Sequence, residues 1–163
     1  MRVSARADYA LRAVAELAAG DGSPVKREQL AERQGIPLDF LEHVLLELKH
    51  AGIVMSQRGS TGGFRLGRPA ADISLADVIR AVDGPMANVR GRRPEEVDYP
   101  GPAEHLQDVW IAVRASLRDL LESVSVEDLV SGELSEQIKA LTLRPDAYRS
   151  LGRVRGPSRA EVP

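Results

Sequence analysis

The chain contains no cysteine. It can form no disulfide, offers no thiolate to a metal and carries no thiol nucleophile. Aromatic residues are scarce, 4% of 163, with a single tryptophan; packing by Leu, Ala and Val is therefore expected, which favours helices. No apolar run approaches the roughly 20 residues of a membrane span. The N-terminal MRVSARADYALRA is charged throughout and lacks the apolar centre of an export signal. A soluble, cytoplasmic protein with no membrane partner is expected. Neither sign of charge dominates, with 22 Lys and Arg against 24 Asp and Glu, so nothing drives the whole molecule towards polyanions.

What is present is organised locally. The length suits one domain, or one domain with an appendage. Between Lys49 and Ala70 the sequence holds Lys49, Arg58, Arg65 and Arg68 and no acid. Such a basic strip on a near-neutral domain suits a focused contact with phosphates, and it also suits an ordinary solvated surface.

Apolar spacing predicts a helix over Asp8 to Ala19, with Ala10, Leu11, Val14, Leu17 and Ala18 on one face, stopped by Gly20-Asp21-Gly22-Ser23-Pro24. A short helix over Lys26 to Gln34 ends at Gly35. Pro37 opens a third, to about His50, whose inward positions read as Phe40, Leu41, Val44, Leu45 and Leu48. A short helix, a glycine-containing turn and a longer helix make a helix-turn-helix, in which the second of the pair enters the major groove. On these features alone an ordinary helical hairpin is an equal alternative.

The stretch Arg58-Gly59-Ser60-Thr61-Gly62-Gly63 lies between β-prone Ile53–Gln57 and a shorter strand, Phe64–Leu66. A phosphate-cradling loop needs a helix directly after its glycines. Here the glycines lead into Phe64-Arg65-Leu66 and then Pro69, so the segment reads as the tip of a hairpin, a wing following the recognition helix. The expected fold is mainly α: a winged helix-turn-helix with a small β-hairpin, plus a long C-terminal dimerisation helix.

Ser74 to Val82 reads as a helix capped by Ser74 and Asp77 and ended by Asp83-Gly84-Pro85. Met86 to Pro102 reads as a loop, long enough to be functional. Leu106, Trp110, Val113, Leu117, Leu120 and Val124 repeat at spacings of 4 and 3, a heptad seam. Packing within one chain would explain it, and a homodimer interface explains it better next to a DNA-binding unit. Shorter helical pieces follow over Ser125 to Ala140. From Arg144 the tail is arginine-bearing and rich in Gly and Pro, and is expected to be disordered. The expected division is residues 1–85 for DNA binding, 86–102 as a sensor-type loop, 103–140 for dimerisation and 141–163 as tail.

Several runs then resemble the winged-helix regulator family grouped with IscR, NsrR and CymR. They are Phe40-Leu41-Glu42, Ala51-Gly52-Ile53-Val54, Arg58-Gly59-Ser60-Thr61-Gly62-Gly63-Phe64-Arg65-Leu66 and Ala81-Val82-Asp83-Gly84, with Asp8-Tyr9-Ala10-Leu11-Arg12-Ala13 near the start. The likeness covers roughly residues 3 to 130. It implies a homodimer on a pseudo-palindromic double-stranded operator, with the third helix in successive major grooves and the wing on the minor groove. Glu42 would accept from a cytosine amino group, and Arg58 would be the wing arginine. Asp39 departs from the family's frequent serine, and His43 stands where glutamine is common. The candidate DNA-contacting residues are Lys26, Arg27 and Gln29; Asp39, Phe40, Glu42 and His43; and Arg58, Ser60, Thr61, Gly62 and Arg65.

Many members hold an iron–sulfur cluster through three cysteines in the loop before the dimer helix. The positions nearest to those ligands here are Glu104 and Gln107, with Asp8 and Arg12 at further positions used as ligands. Without thiolates no cluster is expected. No other cofactor or metal is expected either: His105, Glu104 and Asp108 point apart on a helix, and His43 and His50 lie about 10 Å apart along one. With neither a phosphate loop nor a histidine–nucleophile pair, an enzyme is not expected. The expected function is a cluster-free, dimeric regulator of transcription, a repressor controlled by a small molecule or a protein partner. The alternative is a winged-helix protein-interaction module.

Overall fold

Helix α1 spans Ala5–Ala19 and begins at Ser4, whose Oγ accepts the Ala7 N–H at 2.9 Å. The helix therefore starts three residues before the expected Asp8. Ser4 is a good cap, but Ala7 stands where a Glu or Gln would complete the sequence signature. The computed structural model describes residues 3–148. Helices α2 (Arg27–Gln34) and α3 (Leu38–His50) follow, then strands β1 (Val54–Gln57) and β2 (Gly63–Leu66). After these come α4 (Leu75–Asp83), α5 (Leu106–Glu122), α6 (Val126–Ser131) and α7 (Glu136–Thr142).

The core gathers Val14 of α1, Leu30 of α2, Leu41, Leu45 and Leu48 of α3, and Ile53, Ile73 and Val78 beyond them, all essentially inaccessible. Each such side chain contributes roughly 1.5–3 kcal/mol by leaving water. The turn between α2 and α3 is set by Gly35, which closes α2 in the left-handed conformation (φ 60°), and by Pro37. This positions α3 across α1 and α2 with its polar stripe outward. Phe40, expected inward, is not: its ring is 38% exposed and rests edge-on against Tyr9, with centroids 5.4 Å apart.

Ser74 caps α4 as expected, its Oγ accepting from Asp77 N–H at 3.0 Å while Asp77 accepts from Ser74 N–H at 3.3 Å. Arg68 and Arg80 both reach the Asp77 carboxylate, at 3.0 and 2.8 Å. Burial works to raise the Asp77 pKa, but the hydrogen bonds from Arg80 and Ser74 and the Arg68 charge outweigh it and hold the carboxyl below its ordinary value.

Residues 86–102 carry more structure than a plain loop. Val89 and Arg92 exchange backbone hydrogen bonds of 2.9 and 3.0 Å, tight turns cover Pro94–Glu96 and Gly101–Ala103, and Val97 is buried. Ala87 and Arg90 adopt left-handed backbone conformations, at φ 55° and 53°.

Helix α5 has no buried residue. The expected seam through Val124 must be corrected: α5 ends at Glu122, and Val124 is 3% exposed. There the backbone turns back to the start of α4, where Val124 C=O accepts from Leu75 N–H (2.9 Å) and Val126 N–H donates to Ile73 C=O (2.8 Å). Val126 joins the core, and α6 packs on α1. Arg144 to Tyr148 is exposed; the rest of the arginine-bearing tail lies outside the described residues. Among the described residues no helix is long and apolar enough to cross a membrane.

Candidate nucleic-acid interface

One face of α3 buries Leu41, Val44, Leu45 and Leu48, leaving Asp39, Glu42, His43, Leu46, Lys49 and His50 exposed along the opposite face. The spacing of three and four residues aligns them into a single stripe. His43 Nδ1 lies 2.7 Å from the Asp39 carbonyl oxygen. A carbonyl only accepts, so the proton sits on Nδ1 and Nε2 is the nitrogen available to DNA. Leu46 and Lys49 were absent from the candidate set, although Leu46 falls seven residues after Asp39 and the helical period points to both.

Arg27, the first residue of α2, reaches across to this stripe. Its Nη1 meets Glu42 Oε1 at 2.5 Å, and its Nε meets Glu28 Oε1 at 2.9 Å. The Glu28 hydrogen bond and then the Glu42 charge raise the Arg27 pKa, and Arg27 in turn lowers that of Glu28. These groups are solvent-exposed and screened, so the pairs exchange readily for other partners. Between Arg27, Glu42, His43, Leu46, Lys49, Ser56 and Phe64 lies an open groove of about 310 Å³. Lys26 is exposed beside it. Gln29 is exposed, its Oε1 accepting from Lys26 N–H at 3.2 Å and its amide nitrogen without a partner among the described residues.

The wing pairs Val54 with Leu66 through to Gln57 with Gly63. Arg58, Ser60 and Thr61 project from its tip and Arg65 from β2, all exposed. Gly62 is buried, its N–H donating to Gly59 C=O at 3.0 Å, so it shapes the tip rather than presenting a contact. Within the basic strip, Arg68 is occupied by Asp77. Lys49, Arg58 and Arg65 have no acidic partner among the described residues and keep full donor capacity for phosphate.

One positioning element had no sequence signal. Val25, just before α2, bridges to Phe64 of β2 through two backbone hydrogen bonds of 2.8 Å. The wing is thus fastened to the entrance of the helix-turn-helix. A Cβ on the adjacent Gly63 would lie 2.5 Å from the Val25 carbonyl oxygen, so this approach requires glycine.

Known regulators of transcription resemble this chain in sequence and fold. The profile of Rrf2, described as an iron-dependent transcriptional regulator, matches residues 3–132. The chain belongs to the Rrf2 family. A Mycobacterium tuberculosis protein provisionally named an HTH-type transcriptional regulator is 45% identical over 151 residues, 92% of each chain. CymR of Bacillus subtilis, also named an HTH-type transcriptional regulator, is 33% identical over 138 residues, 84% of this chain and 95% of its own. The solved structure of CymR, described as the global cysteine regulator of B. subtilis, superposes with a TM-score of 0.69 over 81% of this chain and 98% of that one, at 30% identity. That of IscR from T. potens gives 0.67 over 82% and 89%, again at 30% identity. The winged-helix fold and the class, a regulator of transcription rather than an enzyme, follow.

The family's iron chemistry can be tested against the donors in this Rrf2 member. It has no thiolate, and among the described residues no three His, Asp or Glu side chains gather to hold a metal ion. Asp8 pairs with Arg12 at 3.3 Å, and Gln107 donates to the Val97 carbonyl at 3.0 Å. These residues do not fit a thiolate-ligated cluster.

Proposed function

We propose that the protein is a homodimeric, sequence-specific operator-binding repressor of transcription. It works without an iron–sulfur cluster and answers to a small molecule or protein partner. The observation that carries the DNA reading is the α3 stripe leading, through the Val25 tie, into the unpaired cations of the wing. Glu42 accepts from a cytosine amino group, His43 Nε2 and Lys49 address neighbouring edges or phosphates, and Arg58 and Arg65 take the backbone beside the minor groove. Exposed Leu46 suits a thymine methyl.

Support for the dimer comes from α5. About 25 Å long at 1.5 Å per residue, it has no fully buried residue although one side packs on α4, and Val109 and Trp110 are exposed. Val113, Leu117 and Leu120 line an apolar groove of about 660 Å³ with Leu141 of α7. A second copy covers this face and sets the separation of the two α3 helices.

Selection of sheared genomic DNA by the purified protein at near-physiological salt tests the reading. Enrichment of a few sites sharing a two-fold motif is the expected result. Recovery of unspecific DNA alone overturns it and leaves the face of α3 as a protein-docking surface.

A further inference from the structure

Away from α3 and the wing, a second cavity opens where α4, the 86–102 segment and α5 meet. It measures about 420 Å³ and is lined by Arg80, Arg93, Arg114, Arg118 and Glu95, with Gly84, Pro85 and Met86 along one wall. Four guanidiniums line it with one carboxylate, Glu95, and Arg80 is also paired with Glu122 and Asp77, which leaves a modest positive excess in a chain whose net charge is −2. The size is that of a small-metabolite site. Concave walls bearing one sign of charge concentrate the opposite sign.

The arginines come from three separate elements, and two of them bridge elements. Arg114 of α5 meets Glu95 of the 94–96 turn at 2.7 Å, and its side chain is only 23% exposed. Arg80 of α4 meets Glu122 of α5 at 2.7 Å while its other nitrogen holds Asp77. Arg118 lies 3.9 Å from Glu122, too far for a good hydrogen bond. Arg93 has no ion pair among the described residues, although Glu95 feels its charge. Arg93, Arg114 and Arg118 therefore retain unused donors, and the partners Glu95 and Glu122 are exposed and exchangeable, whereas Asp77 is half-buried and holds Arg80.

We propose that this cavity is a binding site for a small, multiply charged anion, whose carboxylate or phosphate groups take bidentate contacts from Arg93, Arg114 and Arg118. Planar guanidinium forks match both groups. Resting on the regulator reading above, the site supplies its small-molecule input. The anion takes Arg114 from Glu95 and releases the 94–96 turn from α5. By competing for Arg80 it also loosens Glu122, the link between α4 and α5.

Isothermal titration calorimetry of the full chain with citrate and with inorganic pyrophosphate, at ionic strength fixed with sodium chloride, tests the site. Saturable binding of one anion per chain is expected, and the stronger of the two probes identifies carboxylate or phosphate as the preferred group. Arg93→Ala and Arg114→Gln should each weaken binding at least tenfold, while Arg90→Ala, outside the cavity, leaves it intact. Should Arg114→Gln disturb folding by circular dichroism, exposed Arg93→Ala alone decides. Heats that only follow ionic strength, or equal binding by the Arg93→Ala variant, overturn the proposal. Genomic selection run in parallel separates the two readings: anion binding without an enriched motif leaves the cavity standing and removes the repressor, and an enriched motif without anion binding does the reverse.

Discussion

Arg27 and Glu42 meet at 2.5 Å across the angle between α2 and α3, so the residue expected to read a base is held by a neighbouring cation in the free protein. The exposed pair biases the Glu42 side chain towards α2 without locking it. On the proposed operator, Arg27 is expected to exchange its carboxylate for a phosphate, leaving Glu42 to accept from a base edge. Glu42→Ala is expected to relax preference at one position per half-site by roughly tenfold, while Arg27→Ala weakens all sequences alike. Competition binding against operators varied one base at a time checks this; an unchanged base preference in Glu42→Ala removes that residue from readout.

Arg58, exposed at the wing tip and without an ion pair among the described residues, is proposed to address the DNA backbone. Arg58→Ala should lower the slope of log affinity against log salt by about one unit without altering the preferred motif. Binding isotherms at four salt concentrations suffice, and an identical slope would show that Arg58 makes no phosphate contact.

Gly63→Ala places a methyl against the Val25 carbonyl. The expected cost is roughly 2 kcal/mol of stability, because the nearby atoms are backbone and cannot swing away. Operator affinity should fall further than the same loss of stability elsewhere would explain, since the wing comes free of α2. Ser60→Ala, at the open tip, is the control and should leave the melting temperature in place.

Trp110→Glu puts a charge on the exposed face of α5 without disturbing the chain's own core. Sedimentation equilibrium should show monomers with an unchanged helical circular dichroism spectrum, and operator binding should be lost. A variant that still sediments as a dimer would place the subunit contact elsewhere.

Asp77 has its pKa depressed below the ordinary 3.8. A carboxyl whose folded pKa is lowered stabilises above its unfolded value and loses that contribution as pH falls through the folded one. Asp77→Asn should therefore lower the melting temperature at pH 7, and the gap from the natural sequence should close only below about pH 4. A gap independent of pH would mean that its charge is not what Asp77 contributes.

The helix-turn-helix and the wing were legible because local chemistry marks them: Gly35, Pro37 and the glycines between Arg58 and Phe64 each stand where the backbone needs them. Phe40 misled because a helical wheel sets it at the border of the apolar face, and only the position of Tyr9 decides its exposure. Val25 and the return at Val124 to Val126 could not be read, since each is a bridge of one or two residues between distant segments and leaves no period. The same holds for the arginine cavity, whose members are dispersed through the chain and assembled by the crossing of α4 and α5.

The return of the backbone at Ser125 makes α5 an insertion rather than an appendage. Both its approaches are moored to the same body, one through Asp83 at the end of α4 and the other through the hydrogen bonds that join Val124 and Val126 to the start of α4. A rod clamped at two places cannot swing about a single hinge; it can only tilt, carrying both moorings with it. In the proposed dimer, displacement of α5 against a second copy would be delivered to α4, and through α4 to the α3 helix packed on it. A single cut in the 86–102 segment would still leave α5 tethered through Val124 and Val126.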